Sequence, residues 1–86
     1  MNWVEGMRKA ISYIEDNITE EIAMEDVAKQ ACASSFYFQK AFSMLCGFTV
    51  GEYIRQRRLT LAGGELISTA QKIIDIAIKY GYDSPD

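Results

Sequence analysis

The chain has 86 residues, 49% of them hydrophobic, and one proline, which suits a single small domain with little surplus core. No apolar run is long enough to cross a bilayer, the first residues lack the layout of a signal peptide, histidine is absent, and Cys32 and Cys46 are too few and too widely spaced for a metal knuckle, so a cytoplasmic domain without metal, cofactor or catalysis is expected. The net charge of −3 is uneven: −5 over residues 1–26, +4 over 27–60, where Lys29, Lys40, Arg55, Arg57 and Arg58 face Glu52 alone, and −2 over 61–86.

Val4, Met7, Ile11, Ile14 and Ile18 recur at spacings of three and four, which predicts a first helix over about 3–17 with one buried stripe. Asn2 and Glu5 form a capping box at its start, and Asn17, which tolerates a left-handed backbone, closes it ahead of the polar connection Thr19, Glu20 and Glu21. A short second helix follows over 24–31, with Met24, Val27, Ala28 and Ala31 inward and Glu25 and Asp26 complementing its positive end.

Ser34 caps a third helix, over about 34–46, that buries Phe38, Phe42 and Leu45 and ends at Gly47. So short a turn between the second and third helices sets them at a steep angle, with the small Ala28 letting them cross closely. Thr49 and Glu52 make another capping box and open a long connector helix that runs through Tyr53, Ile54, Leu59, Leu61 and Ala62 to about residue 67. Gly63 and Gly64 each cost about 1 kcal/mol relative to alanine, and a tolerated weak spot and a hinge both fit them.

A fifth helix over 72–80 buries Ile73, Ile76, Ala77 and Tyr80 and stops at Gly81. It echoes the second helix at an interval of 49 residues, pairing Met24 with Ile73, Asp26 with Asp75, Val27 with Ile76 and Ala28 with Ala77. Ser84 and Pro85 would open one more helix, but the counterparts of Phe38, Phe42 and Leu45 are missing.

Taken together, Val27-Ala28 through Ser34, Phe38-Gln39-Lys40-Ala41-Phe42 with Gly47, Gly51-Glu52-Tyr53-Ile54 with Arg58-Leu59 and Ala62, and Lys72-Ile73-Ile74-Asp75-Ile76-Ala77 with Tyr80-Gly81-Tyr82 resemble the DNA-binding domain of the AraC/XylS family of bacterial transcription regulators. Any one stretch is a weak signal; their order and spacing, over essentially the whole chain, are specific. The resemblance implies an all-α fold with a homeodomain-like three-helix helix-turn-helix unit (1–48), a linker helix (49–68) and the first helix of a second, incomplete helix-turn-helix unit (69–86). With Met1 directly ahead of the first helix, an effector-sensing domain is expected C-terminal in the intact protein. Cys32 departs from the family at a turn position often held by glycine, as Gly81 is in the second copy, and Ala23 and Lys72 stand where a capping serine or aspartate would be favoured.

In helix-turn-helix geometry the second helix of a unit enters the major groove. Phe36, Gln39 and Lys40 match the family positions that read bases: Gln39 suits adenine, Lys40 guanine and Phe36 a thymine methyl group, with a core or interface aromatic as the other reading of Phe36. Ser35, Tyr37 and Ser43 are placed for phosphates, and so is Arg55, whereas Arg58 matches a family arginine near the core and is read as structural. Arg55 and Arg58 lie near one another on the connector, Arg57 points elsewhere, and Glu15, Asp16 and Glu20 are the acids open to these arginines.

These readings make double-stranded DNA the expected partner of a sequence-specific, non-catalytic regulator. The alternative is a helical protein-interaction or dimerisation module, suggested by the net negative charge and the acidic first helix. Ile73, Ile76, Ala77 and Tyr80, left without a complete second unit, are expected to mediate self-association in either case.

Overall fold

The structure, a computed structural model, describes residues 2–68 and 73–81. All regular structure among them is helical: α1 (Trp3–Asp16), α2 (Met24–Gln30), α3 (Ser35–Cys46), α4 (Val50–Ser68) and α5 (Ile73–Lys79). Consecutive helices pack on one another, α1 on α2, α2 on α3, α3 on α4 and α4 on α5.

Local chemistry sets the helix ends. Asn2 accepts a hydrogen bond from the Glu5 amide through Oδ1 at 2.8 Å and starts α1. Asn17 closes α1 differently from expectation: its φ is −116°, outside the left-handed region, and its side-chain Nδ2 donates to the Tyr13 carbonyl at 2.9 Å. Ser34 Oγ accepts from the Tyr37 amide at 3.2 Å at the head of α3, and Gly47, at φ 82°, ends it. At α4 the capping box is reciprocal, Glu52 N donating to Thr49 Oγ1 at 3.0 Å and Thr49 N to Glu52 Oε1 at 2.8 Å. Ala23, with only a methyl group, offers α2 no side-chain cap.

Among the described residues the core is one cluster built from Ala10, Ile14, Ile18, Val27, Ala28, Phe38, Phe42, Val50, Ile54, Ile76 and Tyr80. Three positions expected inside lie outside. Val4 is 70% exposed, because the buried line of α1 runs through Gly6, Ala10 and Ile14 and Val4 lies well round the helix from it. Leu45 is 66% exposed: past Gly47 the chain returns Phe48 to the edge of Phe42, with ring centroids 5.9 Å apart, and the core closes there without Leu45. Ile73 is also exposed, since it is the first residue of α5 and packing onto α4 centres on Ile76 and Tyr80, one turn apart.

That arrangement corrects the expected association surface. Ile76 and Tyr80 are 1% and 6% exposed and Ala77 is half-buried, so this face of α5 is covered within the chain, and of the four residues only Ile73 is exposed. An ion pair between Lys79 and Glu65 also ties α5 to α4. The internal echo is structural as well, since the spans of α2 and α5 are related by the same interval of 49 residues. α4 runs through Gly63 and Gly64 to Ser68. A Cβ built at either glycine meets nothing within 4 Å, so neither is there to let a neighbour approach.

The expected weak cap at Lys72 and the helix start at Ser84 and Pro85 lie outside the described residues. No helix among the described residues is long and apolar enough to cross a membrane.

Candidate nucleic-acid interface

The interface is set by how α2 turns into α3. Ala33 N donates to the Ala28 carbonyl at 3.1 Å and Cys32 N to the Lys29 carbonyl at 3.0 Å, the two crossed bonds of a Schellman ending. Such an ending puts the residue after the cap in the left-handed region, and Cys32 sits there at φ 56°. Gly81 holds the equivalent place after α5 at φ 85°, where a hydrogen in place of a side chain removes the strain that Cys32 bears. The turn redirects the chain within a few residues, and α3 then packs on α2 around the fully buried Ala28, Val27 and Phe38.

Burying Phe38 and Phe42 turns the opposite face of α3 outward. Phe36, Gln39, Lys40 and Ser43 line one shallow depression on that face, which brings together the three residues expected to read bases and one expected on phosphate. Phe36 is 76% exposed, so it is not a core aromatic of this chain. Lys40 Nζ stands 5.9 Å from the Phe36 ring centroid, and Gln39 Nε2 donates to Ser35 Oγ at 2.9 Å. Two couples, each one turn long, therefore order the exposed side chains of the first part of α3.

Tyr37 stacks on Trp3, with ring centroids 5.7 Å apart and planes at 27°. This contact makes the start of α1 a neighbour of the α3 surface. Trp3 was not legible as a site residue, since nothing in local periodicity links it to a ring so far along the chain.

Two arginines fasten the connector to α1 and to the segment that follows it. Arg57 makes a bidentate pair with Glu15, Nη2 to Oε1 at 2.8 Å and Nε to Oε2 at 3.0 Å, and the Tyr53 hydroxyl donates to Glu15 Oε2 at 2.8 Å. The Arg57 hydrogen bonds, helped by Tyr53, hold the Glu15 carboxyl below its ordinary range against the opposing effect of burial. Burial first, then the bond to Glu15, pushes the Tyr53 phenol up to about 12. Arg58 donates from Nε to the Ile18 carbonyl at 2.9 Å and from Nη2 to the Glu20 carbonyl at 2.7 Å, a structural role that uses backbone oxygens in place of acidic side chains. Arg55 is exposed beside Glu52 and borders a depression with Glu21, Ile22 and Met24.

Comparison with known proteins agrees with this geometry. A family model described as a helix-turn-helix domain matches residues 27–86. A crystal structure of a Chromobacterium violaceum transcriptional regulator, described as an AraC-type DNA-binding domain-containing protein, superposes with a TM-score of 0.84 at 26% identity, covering 92% of this chain and 70% of that one. Regulatory protein SoxS of Salmonella typhimurium is 43% identical over 74 residues, 86% of this chain and 69% of SoxS.

The chain belongs to the AraC/XylS family of helix-turn-helix regulators.

Among other relatives of this family, the transposon Tn10 TetD protein of Escherichia coli is 40% identical over 78 residues. That match takes in 91% of this chain and 56% of TetD, so the chain spans a little over half of that relative. The AraC/XylS assignment matches the all-α fold and the helix-turn-helix architecture around Cys32.

Proposed function

We propose that this chain binds double-stranded DNA as a sequence-specific, non-catalytic transcription regulator, in the cytoplasm, with α3 in the major groove. The observation that carries the reading is the shared outward face of Phe36, Gln39, Lys40 and Ser43 on the second helix of the helix-turn-helix unit. Phe36 meets a thymine methyl group, Gln39 an adenine edge and Lys40 a guanine edge. Tyr37, Ser43 and Arg55 hold phosphates on either side, and the Ser35 hydroxyl, whose oxygen accepts from Gln39, keeps its proton to donate to one. The net charge does not oppose this, since the acids cluster outside 27–60 and Glu15, among them, is engaged by Arg57.

The division into a first unit (1–48), a connector (49–68) and the start of a second unit (69–86) belongs to the same proposal. A helical interaction module remains the second reading, on a specific observation: Trp3, Val4, Met7, Arg8, Ile11 and Leu45 line an apolar groove between α1 and the end of α3. Selection of duplexes from a randomised pool by this chain tests the first reading. It should enrich a short motif that fits one major-groove half-site, and recovery of unbiased sequence would reject base reading by α3.

A further inference from the structure

We propose that Ser35 is a positioning residue for base recognition, holding the Gln39 side chain in place one turn along α3 so that its amide meets its base. The inference rests on the reading of Gln39 as an adenine contact and adds the residue that positions it. Ser35 is the first residue of α3 and Gln39 stands one turn later, and the Gln39 Nε2 donates to Ser35 Oγ at 2.9 Å. The capping duty at this helix start falls to Ser34, whose Oγ accepts from the Tyr37 amide, so Ser35 is released from it.

A glutamine amide offers one acceptor oxygen and two N–H donors. With one N–H bound to Ser35, the exposed Gln39 presents Oε1 and its second N–H to the groove. One acceptor beside one donor is the complement of adenine, whose N6 amino group donates and whose N7 accepts. The flipped amide, with Oε1 accepting from the Ser35 hydroxyl, would present two donors and match the O6 and N7 acceptors of guanine instead. A serine hydroxyl both donates and accepts, so Ser35 can hold the Gln39 amide in either orientation, and the arrangement with Nε2 donating is the one that suits adenine. A side chain already held by a neighbour also loses less rotamer freedom when DNA is bound.

Ser35 as a phosphate contact, the role its place at the helix start suggests, predicts something different. Loss of a phosphate contact weakens binding about equally on every sequence. Loss of a positioning contact weakens discrimination at one base pair and leaves other positions alone.

The test uses a duplex selected by this chain and the same duplex with single adenines replaced by 7-deazaadenine, which lacks the N7 acceptor. Binding is measured for the wild type, Gln39→Ala, Ser35→Ala and Ser35→Thr, with thermal melting to confirm that each variant folds. For the wild type, one substitution should cost about five- to tenfold in Kd, and that penalty should vanish in Gln39→Ala. In Ser35→Ala the same penalty should shrink to less than about half, and Ser35→Thr, which keeps the hydroxyl, should restore it. Ser35→Ala binding that falls uniformly with the penalty intact would overturn the positioning role while leaving Gln39 as a reader. A Gln39-dependent position occupied by guanine would overturn the adenine assignment. Absence of any base whose penalty depends on Gln39 would overturn the underlying reading and this inference with it.

Discussion

Arg57 and Glu15, 42 residues apart, join the connector helix to the first helix through a bidentate ion pair whose side chains are about one-third exposed (34% and 31%). Arg58 next to it reaches the backbone just beyond α1, so two consecutive arginines lock α4 at a fixed angle to the three-helix unit. The sign of the pH dependence follows from the lowered carboxyl of Glu15. A group whose folded pKa is depressed contributes stability above its unfolded value, about 4.3 for glutamate, and loses it as pH falls through the folded pKa. Glu15→Gln should cost about 1 kcal/mol near pH 7, after allowing for solvent screening of a pair this exposed. Urea unfolding across the acid range should show the variant and wild-type curves converging as pH drops.

Cys32 carries the opposite sign. A non-glycine residue in the left-handed region costs about 1–2 kcal/mol, and the Schellman ending of α2 holds Cys32 there. Cys32→Gly should therefore raise stability by about 1 kcal/mol, after the extra chain entropy glycine adds to the unfolded state, and raise Tm by several degrees. Calorimetry on the two proteins checks it, and a lowered Tm would mean that the thiol makes a contribution its exposure conceals.

Gly63 and Gly64 are interior to α4 with open space where a Cβ would stand. Replacing either with alanine should stabilise the chain by about 0.5–1 kcal/mol, measured by urea unfolding. If α4 must bend there on DNA, the same variants will bind more weakly while melting at higher temperature, and that combination separates a hinge from a weak spot.

Trp3 is the only tryptophan in the sequence and stacks on Tyr37. Its emission should change when a bound duplex reaches Tyr37, and the change should be largely lost in Tyr37→Ala. An emission unaffected by saturating DNA would place the start of α1 away from the bound backbone.

Much of the architecture was readable because it is decided within one helical turn. The caps at Asn2, Ser34 and Thr49 and the stops at Gly47 and Gly81 are short-range chemistry, and the helices lie close to where those residues put them. The positions of Val4, Leu45 and Ile73 were not readable, because which side of a helix is covered depends on where its neighbours end. The same holds for the connector arginines: spacing separates Arg57 from Arg55 and Arg58, but only the packed fold shows that Arg57 finds Glu15 while Arg58 finds backbone carbonyls. At the candidate interface, the exposed face of α3 followed from the buried pair Phe38 and Phe42, whereas the Trp3 contact depends on tertiary structure alone.

The most direct test of the proposed DNA reading is a salt titration of duplex binding by the wild-type chain, Lys40→Ala and Arg55→Ala, each against a selected and a random duplex. Affinity should fall steeply with salt for all three proteins, and both substitutions should weaken binding. Arg55→Ala should lower the salt slope by about one while keeping the ratio of selected to random affinity, whereas Lys40→Ala should reduce that ratio by about five- to tenfold. No salt-dependent binding to either duplex at low ionic strength would contradict the account and turn attention to the apolar groove between α1 and α3.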